Sequence, residues 1–195
     1  MLHEILDSGL VAHVAVVDDD GQPYVIPVAY ARDGDSVLFH GSTASRLFRG
    51  LADGRPTCLT VTLLDGVVFA RSAFNSSMNY RSVVVLGVAE RLTGDEELAA
   101  LERIADHLTP GRWTQARQPS PKERAATLTL RLSLDECSIK VRTGGPNDDD
   151  EDVQDPVYGS IWAGTLPLRE VFGTPVPDQY SAGRAVPASV QAWER

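Results

Sequence analysis

Basic charge is scarce in this chain of 195 residues: 18 Lys and Arg stand against 27 Asp and Glu, for a net charge of −9. Non-specific nucleic-acid binding needs a basic footprint, so nucleic acid is excluded as a partner. Long apolar runs are missing as well. Nothing approaches the roughly 20 residues that cross a bilayer as a helix, and no membrane partner is expected. The opening MLHEILDSG has neither the basic flank nor the apolar core of a secretory signal, so a cytoplasmic location is expected. Cysteine is down to two residues, Cys58 and Cys137, which are far apart in apolar, strand-like surroundings and read as buried, inert thiols. His3, His13, His40 and His107 show no metal-ligand spacing, so no metal is expected. No Ser sits in a GxSxG elbow and no Cys has a nearby His, which leaves hydrolase chemistry without a nucleophile.

What is present is a series of strand-like segments. The hydrophobic share, 43%, is that of a globular domain with a real core. LHEILDSG reads as a short leading helix that Gly9 stops. LVAHVAVVD and PYVIPVAYAR read as strands joined by the turn DDDGQP, and SVLFH as a third strand. Pro27 cannot donate a ladder hydrogen bond, so the second strand is expected to have an edge or a bulge there. Between Thr43 and Asp53 the spacing of Leu47, Phe48 and Leu51 turns helical, with Ser42 or Thr43 as N-cap. PTCLTVTLL and GVVFARS read as two strands around an Asp65-Gly66 turn. The valine-rich YRSVVVLGVAERLT reads as a strand buried on both faces.

DEELAALERIADHLTPG has its acids at the start and Pro110-Gly111 at the end, and is the clearest helix. A loop, GRWTQARQPSPKER, leads to the strands ATLTLRLSL and CSIKVRTG, and the acidic NDDDEDVQD reads as a solvated, mobile loop. It lacks the spaced glycine and closing glutamate of a calcium loop. YGSIWAGTLPL reads as a last strand. Residues 1–173 are expected to form one domain, and residues 174–195 an irregular tail. Hairpin order with few helices predicts a mainly β fold, an antiparallel barrel, over a doubly wound α/β one.

Three segments in this order, PYVIPVAY, FHGSTASR and NYRSVVVLGVAERL, resemble the FMN-binding split barrel of the pyridoxamine 5′-phosphate oxidase-like superfamily. The likeness is greatest to its nitroimidazole-resistance-type and flavin-nucleotide-binding branch, and it covers roughly residues 5–168. It implies a Greek-key-like split barrel that dimerises, with FMN in a groove between the subunits and its phosphate on the segment after the third strand. Carried over, His40, Gly41, Ser42, Ser45 and Arg46 are the phosphate end, where free N–H groups and one guanidinium suit a dianion. The oxidases usually carry two adjacent basic residues here; this chain has Leu47 after Arg46, with Arg49 or Arg81 as substitutes.

The same resemblance places the backbone of Pro27, Val28, Ala29 and Tyr30 along the flavin ring. Ile26 stands where the oxidases tend to have a basic residue, which argues against pyridoxamine phosphate oxidase activity itself. Asn79, Tyr80, Arg81 and Ser82 match the strand beside the cofactor, Ser82 replacing a glutamine. Trp162 resembles a late aromatic that packs near the flavin from the other subunit. The function implied is a homodimeric oxidoreductase taking electrons from a reduced nicotinamide through FMN to a small nitroaromatic or quinone. The alternative is a non-enzymatic protein of the same fold holding FMN, deazaflavin or haem, with His13, His40 or His107 as the axial ligand. No catalytic residue is assigned.

Overall fold

The computed structural model describes residues 1–193. Its helices are α1 (Leu2–Ser8), α2 (Arg46–Ala52), α3 (Gly94–Leu108), α4 (Arg112–Gln115), α5 (Pro121–Ala125), α6 (Asp150–Gln154) and α7 (Ala188–Gln191). Its strands are β1 (Val11–Val17), β2 (Pro23–Asp33), β3 (Ser36–Ser42), β4 (Pro56–Phe69), β5 (Ser77–Val88), β6 (Glu90–Leu92), β7 (Thr127–Ser133), β8 (Cys137–Arg142) and β9 (Gly164–Pro167). They form one sheet in the order β6-β7-β3-β2-β1-β4-β5-β8, with β9 on β4. Every pairing is antiparallel. β4 returns beside β1 after the β1–β2–β3 meander, a Greek-key-like path, and β5 runs through Ala89 into β6, which pairs with β7. The sheet is thereby curled around its core, as the split-barrel expectation requires. Among the described residues no helix is long and apolar enough to cross a membrane.

Alternation with period two sends Val14, Phe39, Leu59, Val61, Val83, Val85, Leu130 and Leu132 inward, all buried. Ile5 and Leu6 of α1, and Leu47, Phe48 and Leu51 of α2, close this core. A second, smaller cluster lies on the other face, where Ala100 and Ile104 of α3 cover Ala31, Leu38 and Leu92.

Several local expectations change. Gly9 ends α1 with extended backbone, φ −77°; its smallness is needed because a Cβ there would sit 2.6 Å from Tyr30 Oη and from Val61. The N-cap of α2 is Ser45, not Ser42 or Thr43, because β3 continues through Ser42. Asp65-Gly66 is a bulge inside one long strand, β4, and not a turn. β9 crosses at Gly66, where a Cβ would lie 2.8 Å from Leu166 O. The valine run is buried on one face only: Val83 and Val85 are fully buried, while Val88 is 56% exposed. Cys137 is exposed and Cys58 half-buried, both free thiols. The acidic stretch contains α6, and Asp148 pairs with Arg71 at 2.6 Å with its side chain only 5% exposed. The basic loop before β7 folds into α4 and α5, the latter with a capping box between Ser120 and Glu123.

Candidate functional site

β2 changes partner in mid-strand. Pro23–Ala29 pair only with β1, and Tyr30–Asp33 pair with β3. Beyond Phe39, β3 keeps β7 on one side, through His40–Thr129, Gly41–Leu128 and Ser42–Thr127, and has lost β2 on the other. Two backbone edges therefore diverge and face each other across a split, Pro27-Val28-Ala29 on one side and His40-Gly41-Ser42 on the other. Edge N–H and C=O groups without a strand partner are hydrogen-bonding sites open to water or to a ligand. Pro27 sits opposite His13 on β1, and its missing N–H costs the ladder nothing on the open side.

Side chains at the split divide by face. Val28 is buried in the main core and Ala29 packs against the α3 cluster, which leaves Pro27 and His40 exposed at the rim. Desolvation lowers the pKa of the His40 imidazole below its ordinary value, so the ring is neutral at pH 7. Its cross-strand neighbour Thr129 is 1% exposed with an Oγ1 that has no hydrogen-bond partner. Gly41 is required by packing, since a Cβ would lie 2.1 Å from the Phe48 ring. Ser42 ties down the turn into α2: its Oγ accepts from Ala44 N at 3.1 Å and its carbonyl from Ser45 N at 2.9 Å.

Arg46 opens α2 with 66% of its side chain exposed. It leans on the β1–β2 hairpin, with Nη1 3.4 Å from Asp18 Oδ2 and its guanidinium 4.6 Å from the centre of the Tyr24 ring. These two contacts were invisible to motif reading, although an arginine and the Asp18-Asp19-Asp20 turn are a natural charge pair. One turn on, Arg49 has no side-chain partner among the described residues. Arg81 is committed: its Nε and Nη2 donate to Asp65 at 2.9 and 2.7 Å, an arrangement that raises its pKa, chiefly through those bonds.

The structure thus brings Pro27, Val28, Ala29, His40, Gly41, Ser42, Ser45 and Arg46 to one place. Tyr30 lies just behind them, fully buried, its hydroxyl donating to Leu6 O at 2.6 Å and its ring against His107. The remaining expected residues stand apart in the same chain, because β1 and β4 separate β2 from β5, about 14 Å of sheet. Asn79 donates to Gly144 O and accepts from Arg142 Nη1, Tyr80 lies under Lys140, and Ser82 Oγ reaches Lys140 O at 3.5 Å. Trp162, 68% exposed, packs on Phe69 beside β9.

Comparison with known proteins agrees with this architecture. Residues 1–141 match the family model described as pyridoxamine 5′-phosphate oxidase, and the chain belongs to that family. It is 40% identical to the FAD and heme binding protein from Mycobacterium smegmatis, with 97% of this chain and 92% of that one covered and a TM-score of 0.90. It is 41% identical to the flavocytochrome Anf3 from Azotobacter vinelandii, with 98% and 87% covered and a TM-score of 0.89. A putative 5-nitroimidazole antibiotic resistance protein from Bacteroides thetaiotaomicron shares the fold at 20% identity, 70% and 79% coverage and a TM-score of 0.58. No curated protein shows a significant match.

Proposed function

We propose that the protein holds a flavin nucleotide in the split and relays electrons through it, as a homodimer, from a reduced nicotinamide to a small acceptor such as a nitroaromatic or quinone. The observation that carries this reading is the partner change of β2 at Ala29, which leaves two facing backbone edges beside an exposed arginine. A flavin bound there supplies hydride acceptance and electron transfer. Main-chain groups of Ala29 suit the polar edge of the ring system, and the neutral His40 imidazole at the rim can donate one hydrogen bond and accept another.

The relative from M. smegmatis binds FAD, and this favours FAD over the FMN that the sequence motifs imply. Arg46 and the unpartnered Arg49, one turn apart on α2, give the two guanidiniums that a diphosphate needs. The dimer has support in the outward face of the sheet. By register Val11, Val25, Leu64, Leu86 and Val88 share that face, each between 40% and 57% exposed, an apolar patch of the kind that marks an interface. A second copy across it would complete the groove with Asn79–Ser82 and Trp162.

Haem is a second reading, favoured by the M. smegmatis protein, which binds heme as well as FAD. His107 Nε2 is bonded to Gly9 O at 2.7 Å and His3 faces Asp35 at 3.3 Å. His13, exposed on the apolar outward face, and His40 are the imidazoles that would hold a haem iron.

Gel filtration of the purified protein incubated with FAD, FMN or haemin tests both readings. Flavin absorbance bands travelling with the protein at one per chain support the first, and a Soret band that disappears in His13→Ala supports the second. Protein that emerges colourless from all three incubations overturns both.

A further inference from the structure

The tail beyond β9 builds a cavity that the flavin reading does not use. From Phe172 to Trp193 the chain turns back over the C-terminal end of α3. Gln115 Nε2 of α4 donates to Ser189 Oγ at 3.2 Å, and within the tail the Phe172 and Trp193 rings meet edge to face with their centres 4.1 Å apart. Between tail and helix lies a space of about 840 Å³, within the usual range of small-molecule sites. Its walls are apolar: Leu108, Phe172, Val176, Val190 and Trp193, with several prolines.

Arg112 and Arg184 line the same space, and neither side chain has a partner among the described residues; Asp178 is the single carboxylate among the described residues of that lining. A second cleft, about 410 Å³ beside α3, makes the contrast. There Arg103 meets Asp33 at 3.3 Å and Arg131 meets Glu96 at 3.4 Å, so its charge is already matched internally. The tail cavity has its cationic charge unspent against an apolar wall. A haem is a poor fit, because no His, Cys, Met, Tyr or Lys is among the lining residues to bind iron.

We infer that the tail cavity is a second ligand site, for a small aromatic or aliphatic molecule bearing one anionic head group. The apolar body packs against Phe172, Val190 and Trp193, and the head group pairs with Arg112 and Arg184. Leu10, another wall residue, directly precedes Val11, the ladder partner of Ala29 at the split. The site therefore stands next to the closed end of the split but needs no flavin to form.

The probe is 8-anilinonaphthalene-1-sulfonate, titrated into the full chain by calorimetry and by its own fluorescence. The inference predicts one molecule bound per chain, at least tenfold weaker binding in the double variant Arg112→Ala/Arg184→Ala, and loss of binding in Gly173→Phe. Gly173 lines the cavity and has open space where a Cβ would go, so a phenyl ring is accommodated at the cavity wall without disturbing the fold. The uncharged N-phenyl-1-naphthylamine is expected to bind wild type more weakly and to ignore loss of the arginines. Because both arginines are exposed, their variant keeps the wild-type melting temperature, which separates lost binding from lost fold. No binding to wild type, binding that survives Gly173→Phe, or equal affinity with and without the arginines overturns the inference.

Discussion

Pro27 and Tyr30 are three residues apart on one strand and belong to two different environments. At Tyr30 everything is satisfied by side chains and neighbours. The hydroxyl bonds to Leu6 O, the ring meets His107, and the backbone pairs with Phe39. At Pro27 the strand is exposed, its open edge facing His40–Ser42 across the split. The same local sequence, alternating and apolar, serves both, and the difference comes from what the fold brings alongside. The closed half provides rigidity; the open half offers backbone groups whose partners must come from outside. The difference between them can be broken from either side.

The largest effect is expected at the hinge between the halves. Gly41→Val drives side-chain atoms into the Phe48 ring, which a Cβ alone would approach to 2.1 Å, and should cost about 3 kcal/mol in urea unfolding. Leu86→Glu, placing a charge on the outward apolar face, should turn the proposed dimer into a monomer by sedimentation and lower flavin affinity with it. Tyr30→Phe leaves the buried Leu6 carbonyl short of a donor and should cost roughly 1–2 kcal/mol, with flavin affinity unchanged. Arg46→Ala works the other way, weakening flavin binding about tenfold by titration while stability moves by less than about 0.5 kcal/mol.

The smallest effect lies far from the split. Glu123 accepts bonds from Arg117 and from Ser120, which hold its carboxyl at about 2, below the ordinary carboxylate value. A depressed folded-state pKa stabilises above the unfolded value, and that stability is lost as pH falls from about 4.5 toward 2. Wild type and Glu123→Gln should therefore converge in melting temperature across that window and differ above it.

Much of the molecule was legible in its residues, and the failures share a cause. Strand segments, the leading helix and α3 follow from periodicity and from Gly and Pro punctuation. The two edges of the split were legible too, because Pro27 marks a strand with an open side and FHGSTASR marks the exit into a helix. Asp65-Gly66 misled because a turn signal is local, whereas β9, a hundred residues later, crosses at Gly66, and Arg81 from the neighbouring strand bonds Asp65. Asp148 looked solvated for the same reason, its partner Arg71 lying 77 residues away. The tail read as irregular, and most of it is; what local patterning could not show is that its prolines and aromatics close over α3 to make a cavity.

The central claim is that a flavin lies against the open half of β2. Amide hydrogen exchange with and without FAD tests it most directly. The account predicts added protection at Ala29, His40 and Ser42, whose amides border the split, and little change at Val28 and Gly41, whose amides lie in the ladders to β1 and β7. Protection confined to other strands, or none at saturating FAD, would contradict it.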